Sequence, residues 1–160
     1  MFLRQKIKND SSTNFHERKI MTKKQVTDLF GAIVKGSFDD VRYLVEEKGA
    51  DVNAKDSKRN TPLHTAVQHW QGDNAMIEFF ISHGADVLAQ NKKCRTARCC
   101  AHIKLNSITA DIAGKATLLA QMMEPGNAVA GMPLLKAINK QLDKVKLLME
   151  VIKMLENAAG

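Results

Sequence analysis

Residues 61–66 read Thr61-Pro62-Leu63-His64-Thr65-Ala66, and residues 84–91 read Gly84-Ala85-Asp86-Val87-Leu88-Ala89-Gln90-Asn91. One structural unit lies between them. Thr61 can cap the backbone N–H groups that open a helix, and Pro62 suits the first helical position, where no donor is needed. Leu63 and Ala66 then share a face. A second apolar pattern, Met76, Phe79 and Phe80, runs up to Gly84. Glycine suits the left-handed backbone that ends a helix. The unit therefore reads helix, short turn, helix, loop.

The same unit occurs once before. Gly49-Ala50-Asp51-Val52-Asn53-Ala54-Lys55 matches Gly84 through Gln90 at a spacing of 35 residues. Val41, Leu44 and Val45 precede it, and before those come Leu29, Ala32 and Ile33, set against Leu63, Ala66 and Val67 in the later unit. A fixed period of this length, carried by paired helices, is the signature of a repeat architecture.

The pattern resembles the ankyrin-repeat family, most closely over TPLHTA at 61–66 and IEFFISHGADVLAQN at 77–91. The resemblance implies an all-α solenoid of stacked helix–turn–helix pairs, with hairpin fingers projecting at about 51–60 and 86–95. It implies a bracing role for His64, bonded to neighbouring backbone between units. Two further units are expected in degenerate form. Arg95 through Ala101 aligns with Asn60 through Ala66, and a longer second helix carries Ile108, Ile112, Ala116, Leu119 and Met123 before Pro125-Gly126. Met132-Pro133-Leu134-Leu135-Lys136-Ala137 opens the last unit, followed by Val145, Leu148, Met149, Ile152 and Leu155. The expected division is a basic arm at 1–21 and one repeat domain at 22–160, with repeats at about 22–60, 61–95, 96–131 and 132–160. Terminal repeats are atypical because one face meets solvent. The apolar end at 151–159 suits a chain that continues or an end that packs against something.

Composition agrees with a folded domain. The chain has 160 residues, 44% apolar and 26% charged, enough for its own core without a metal or disulfide staple. No apolar run approaches the roughly 20 residues of a membrane span. The N-terminus lacks the apolar core of a secretory signal. Three cysteines, two of them adjacent, do not form a disulfide framework, so a reducing, cytoplasmic setting is expected. The formal net charge is +7, and residues 1–24 carry +5 of it, from seven cations against Asp10 and Glu17. The high pI belongs mostly to that segment.

Enzymatic signatures are lacking. No GxSxG, HExxH or dinucleotide fingerprint occurs. Gly31 through Ser37 lacks the lysine of a phosphate loop, and Gly36 reads as a turn between helices. Asn9-Asp10-Ser11 matches a glycosylation sequon on paper only. His83 ends a helix, where it can satisfy terminal carbonyls. Cys94, Cys99, Cys100 and His102 are soft ligands in one stretch, but their spacing is poor for zinc, because on a helix only Cys99 and His102 share a face. No cofactor and no metal are expected, and the chain is not expected to be an enzyme.

The fingers carry the functional expectation. The first offers Lys55, Lys58 and Arg59, and the second Lys92, Lys93 and Arg95. No acidic residue occurs between Asp86 and Asp111, and Arg98 and Lys104 extend the run. Side by side, these cations form a ridge suited to an acidic protein partner, with affinity falling as salt rises. Trp70, the only tryptophan, admits two readings: an exposed anchor for a partner, or a cover over the Met76 and Phe80 helix. The expected function is protein–protein recognition by a monomeric module, as an adaptor, inhibitor or host-directed effector. The alternative is attachment to nucleic acid or an anionic membrane through the basic arm.

Overall fold

The computed structural model describes residues 23–122 and 132–160. The segment 1–21 read as a basic arm, with its apolar Phe2, Leu3, Ile7 and Phe15, lies outside the described residues, as do Met123 and Pro125-Gly126. Among the described residues there are six α-helices and no strand: α1 Lys23–Lys35, α2 Phe38–Glu46, α3 Pro62–Gln68, α4 Ala75–Ser82, α5 Ala97–Met122 and α6 Met132–Asn157.

The first two units form as the sequence predicts. Helices α1 and α2 pair, α3 and α4 pair, and α1, α3 and α5 stack in order. Gly36 turns the chain between α1 and α2 at φ +74°, and Gly72 does so between α3 and α4 at φ +114°. Gly49 and Gly84 close the two units in the left-handed region, at φ +64° and +79°. At the head of α3, the Thr61 hydroxyl accepts from the backbone N–H of His64 while the His64 ring bonds back to the Thr61 backbone. That reciprocal cap satisfies donors a buried helix start would otherwise leave orphaned.

One continuous core runs through the stack. Leu29, Ile33, Val41, Leu63, Val67, Ile77 and Phe80 are buried in it. Ala97 and Ala101 of α5 extend it, as do Leu148, Val151 and Leu155 of α6. The small residues on α5 allow close approach to α3, as Ala66 does on the other side.

The third and fourth units depart from the expected pattern. The described parts of these units, 96–122 and 132–160, do not divide into two helix–turn–helix pairs; α5 and α6 are single helices of 26 residues each that pack on one another. The reason is local. Adding one period of 35 to Gly72 reaches Ser107, and adding two periods to Gly36 reaches Asn106. Neither is a glycine, and both lie inside α5. Without a residue that turns left cheaply, the helix runs on. The apolar residues expected on one stripe serve the hairpin instead: Ile108, Ile112 and Leu119 are half-buried, while Ala116 is exposed. Beyond the stack the hairpin keeps Leu118, Leu135 and Leu142 exposed. Pro133 falls in the first turn of α6, where its missing N–H costs nothing.

Candidate functional site

Each finger is built on one Asx residue. In the first, Asp56 Oδ1 accepts from the backbone N–H of Lys58 at 2.8 Å and of Asn60 at 2.7 Å, and Asp56 Oδ2 accepts from Asn60 Nδ2 at 3.0 Å. In the second, Asn91 Oδ1 accepts from the N–H of Lys93 at 2.9 Å and of Arg95 at 3.2 Å. Asp56 and Asn91 are 35 residues apart, so the same turn is built twice, once on a carboxylate and once on a neutral amide. The tip residue is left-handed in both, Arg59 at φ +59° and Cys94 at φ +53°.

Three sets of hydrogen bonds hold the fingers together. Asn53 Nδ2 donates to the Gly84 carbonyl at 3.0 Å, and the Asp86 N–H donates to Asn53 Oδ1 at 2.7 Å. Buried Asn91 Nδ2 donates to buried Asn60 Oδ1 at 3.0 Å. At the tips, the Lys92 N–H donates to the Lys58 carbonyl at 3.0 Å. Behind them, His64 is fully buried, with Nε2 2.8 Å from the Arg95 carbonyl and Nδ1 2.8 Å from the Thr61 hydroxyl. A carbonyl cannot donate, so Nε2 carries the proton and Nδ1 accepts. His64 thus joins the head of α3 to the end of the second finger, the bracing role its motif implies.

The resulting ridge is cationic. Lys55, Lys58, Arg59, Lys92, Lys93 and Arg95 are all exposed. Among the described residues, none of the six forms an ion pair with a carboxylate, whereas Arg98 pairs with Glu156 at 3.6 Å. In the first finger Asp56 offsets part of the charge. In the second, Asn91 does the same structural work with no charge, so the turn that carries Lys92, Lys93 and Arg95 has no carboxylate of its own. Behind the ridge, a pocket of about 470 Å3 is lined by Lys58, Lys92, Lys93 and Arg95, with exposed Gln68 and buried Cys100.

Trp70 does not belong to this surface. The expectation of an exposed anchor is corrected: Trp70 is 5% exposed, part of the core, and its indole N–H donates to Asn74 Oδ1 at 3.0 Å. The Trp70-Asn74 bond folds the turn over the ring, and the same cleft is lined by Ile33, Phe38 and Met76. An amphipathic side chain with its one donor satisfied internally packs inside.

The cysteine stretch is dispersed. Cys94 and Cys99 are exposed and Cys100 is buried. Among the described residues no three His, Cys, Asp or Glu side chains converge to hold a metal ion. Cys99 sits in the first turn of α5 beside the Thr96 hydroxyl, 3.5 Å from its sulfur. That hydrogen bond, with Arg98 and Arg95 nearby, lowers its pKa below that of an ordinary thiol, while burial raises that of Cys100.

Comparison with known proteins settles the family. The sequence model described as ankyrin repeats in three copies matches residues 5–91, more than half the chain. The chain belongs to the ankyrin-repeat family. The match begins within the segment read as an arm and stops before the α5–α6 hairpin. Curated relatives include alpha-latrocrustotoxin-Lt1a of Latrodectus tredecimguttatus, 39% identical over 62 residues. Another is the ankyrin repeat and LEM domain-containing protein 1 homolog of Caenorhabditis elegans, 45% identical over 62 residues. The human ankyrin repeat and IBR domain-containing protein 1 is 39% identical over 56 residues. These matches cover 39%, 38% and 35% of this chain, but only 4%, 8% and 5% of those proteins. Among solved structures, one chain of the complex of a predatory endopeptidase of Bdellovibrio bacteriovorus with an immunity protein aligns over 56% of this chain and 44% of that one, at 26% identity and a TM-score of 0.44.

Protein binding is typical of ankyrin repeats, and the family is generally non-enzymatic. Among the described residues no helix is long and apolar enough to cross a membrane. Sequence reading missed the Asn60–Asn91 rung and the pocket behind the ridge. The equivalence of Asp56 and Asn91 at the repeat spacing was the available signal for the first. Nothing in the order of residues signalled the second.

Proposed function

We propose that this ankyrin-repeat chain is a protein-recognition module whose partner-facing surface is the ridge of its two fingers. Lys55, Lys58 and Arg59 act from the first finger, and Lys92, Lys93 and Arg95 from the second. The partner presents an acidic surface. The observation that carries this reading is the pinning of both fingers by hydrogen bonds while their cations lack carboxylate partners among the described residues. A framework ordered before contact loses little entropy on docking, and unpaired cations give up no internal ion pair to bind.

The module works as an adaptor or inhibitor, by occupancy rather than turnover. Uncompensated charge steers encounter and selects against cationic partners, and both effects weaken with salt. Trp70 has no contact role in this reading and acts as core.

The experiment compares three 160-residue proteins as baits: wild type, a finger variant with Lys58, Arg59, Lys93 and Arg95 changed to glutamate, and an arm variant with Arg4, Lys6, Lys8, Arg18 and Lys19 changed to glutamine. Circular dichroism checks that all three fold. Capture lost only by the finger variant supports the ridge. Capture lost only by the arm variant, or capture of nucleic acid or anionic lipid alone, refutes it.

A further inference from the structure

The pocket behind the fingers opens onto a longer cationic path. Its wall holds Lys58, Lys92, Lys93 and Arg95, together with Gln68, exposed at the end of α3. Gln68 Nε2 lies 3.7 Å from the Cys100 sulfur, so α3 and α5 meet in the pocket wall. Lys104 of α5 comes next, its Nζ donating to the Gln68 carbonyl at 2.8 Å. Lys144 of α6 follows, its side chain reaching to within about 4 Å of the point where a Cβ on Gly72 would stand.

Lys104 and Lys144 are close enough to repel. Burial first, and then the Lys144 charge, lowers the Lys104 pKa. Among the described residues neither forms an ion pair with a carboxylate, and two such neighbouring cations leave a field that a bound anion relieves. The charges follow one another by neighbouring pairs, from the pocket to Gln68, from Gln68 to Lys104, and from Lys104 to Lys144 on α6. All but one are lysines, which act as separate point charges rather than as forks for one planar or tetrahedral group. A row of single charges matches several separate carboxylates better than one doubly charged phosphate.

We propose that this groove binds an extended acidic peptide segment of the partner, its carboxylates meeting the finger lysines at one end and Lys104 and Lys144 at the other. This rests on the ridge reading above and deepens it. It also gives the α5–α6 hairpin, which lies beyond the family match, a share in recognition.

The probe is a fluorescein-labelled dodecapeptide alternating glutamate and glycine, followed by anisotropy on the 160-residue chain. Its glutamine counterpart and a peptide with one phosphoserine and no other charge serve as comparators. Wild type is expected to bind the glutamate peptide, with affinity falling steeply between about 50 and 200 mM salt. Lys144→Gln is expected to weaken binding at least about fivefold, and Lys58→Gln with Lys93→Gln more than that. Lys153→Gln removes the same charge nine residues along α6, on the opposite face by helical geometry, where Lys153 shares a cleft with Met149 and Glu156. It is expected to change little. Lys104→Gln also removes a bond to the end of α3, so Lys144→Gln is the deciding variant.

Binding that Lys144→Gln leaves intact while the finger substitutions abolish it overturns the extended path and leaves the ridge standing. Equal weakening by Lys153→Gln overturns it by exposing a bulk charge effect. Tighter binding of the phosphoserine peptide overturns the preference for separated carboxylates. No binding of the glutamate peptide by wild type overturns the proposal outright, and the bait comparison above then judges the ridge by itself.

Discussion

Asn91 Nδ2 donates to Asn60 Oδ1 at 3.0 Å, and both side chains are buried between the two fingers. Each asparagine also serves its own finger, Asn60 by donating to Asp56 and Asn91 by accepting from the Lys93 and Arg95 N–H groups. The pair converts two separate loops into one rigid surface. Removing a buried partner leaves donors and acceptors unsatisfied, which costs more than the bond itself contributes.

Asn91→Ala is therefore expected to destabilise the chain by about 1–3 kcal/mol, read as a lower urea midpoint at unchanged slope. Asn91→Asp keeps the acceptor for Lys93 and Arg95 and reproduces the charge of Asp56, but loses the donor to Asn60 Oδ1 and sets a carboxylate oxygen against it. It is expected to destabilise the chain as well, by less than Asn91→Ala because the turn is kept, and to weaken binding to an acidic partner. Equal loss of stability by the two would show that the donor to Asn60, which both lose, outweighs the acceptor role.

His64 links the two ends of the second unit. Its Nε2–H donates to the Arg95 carbonyl, and its Nδ1 accepts from Thr61. His64→Ala leaves that carbonyl and the cap unsatisfied in a fully buried site. A loss of about 2–4 kcal/mol is expected by chemical denaturation. A loss below about 0.5 kcal/mol would mean the imidazole is not a brace.

Cys94 adopts φ +53° at the tip of the second finger. A left-handed residue with a side chain costs roughly 1–2 kcal/mol, part of which glycine gives back through its freer unfolded chain. Cys94→Gly is expected to raise stability by about 0.5–1 kcal/mol, seen as a higher melting temperature. A lower one would contradict the finger geometry.

Cys99 and Cys100 are neighbours with opposite environments. The Thr96 hydrogen bond, helped by Arg98 and Arg95, lowers the Cys99 pKa, and burial raises that of Cys100. The thiolate is the reactive form, so a lowered pKa raises the thiolate fraction at neutral pH. Iodoacetamide is expected to label Cys99 before Cys100, with a rate that levels off at lower pH than for an ordinary cysteine. Thr96→Val should move that profile upward and Thr96→Ser should not. Peptide mapping by mass spectrometry reads both, and a profile unchanged by Thr96→Val would remove the hydroxyl as its cause.

The first two repeats were legible because each signal is local. The Thr61-Pro62 cap, the left-handed Gly49 and Gly84, and the apolar faces of α1 to α4 all declare themselves within a few residues. The hairpin was not legible in the same way. Apolar residues at Ile108, Ile112 and Leu119 suit either the second helix of a repeat or the back half of a long helix. Only the lack of glycine at 106–107, a missing signal, separates the two. Trp70 was undecided because its fate depends on Asn74, whose amide accepts the indole N–H. The finger cations could be read from sequence, but Lys144 reaches the α3–α4 turn only through the return of α6.

The central claim is that the finger ridge is the recognition surface. The most direct measurement is capture of proteins from lysate at moderate salt by wild type and by the folded variant with Lys58, Arg59, Lys93 and Arg95 changed to glutamate. Each captured protein is then remeasured in purified form against both baits. The account predicts a protein with an acidic surface that binds wild type, loses affinity as salt rises, and loses it by at least about a hundredfold on charge reversal. A purified partner that binds both baits equally well would contradict it.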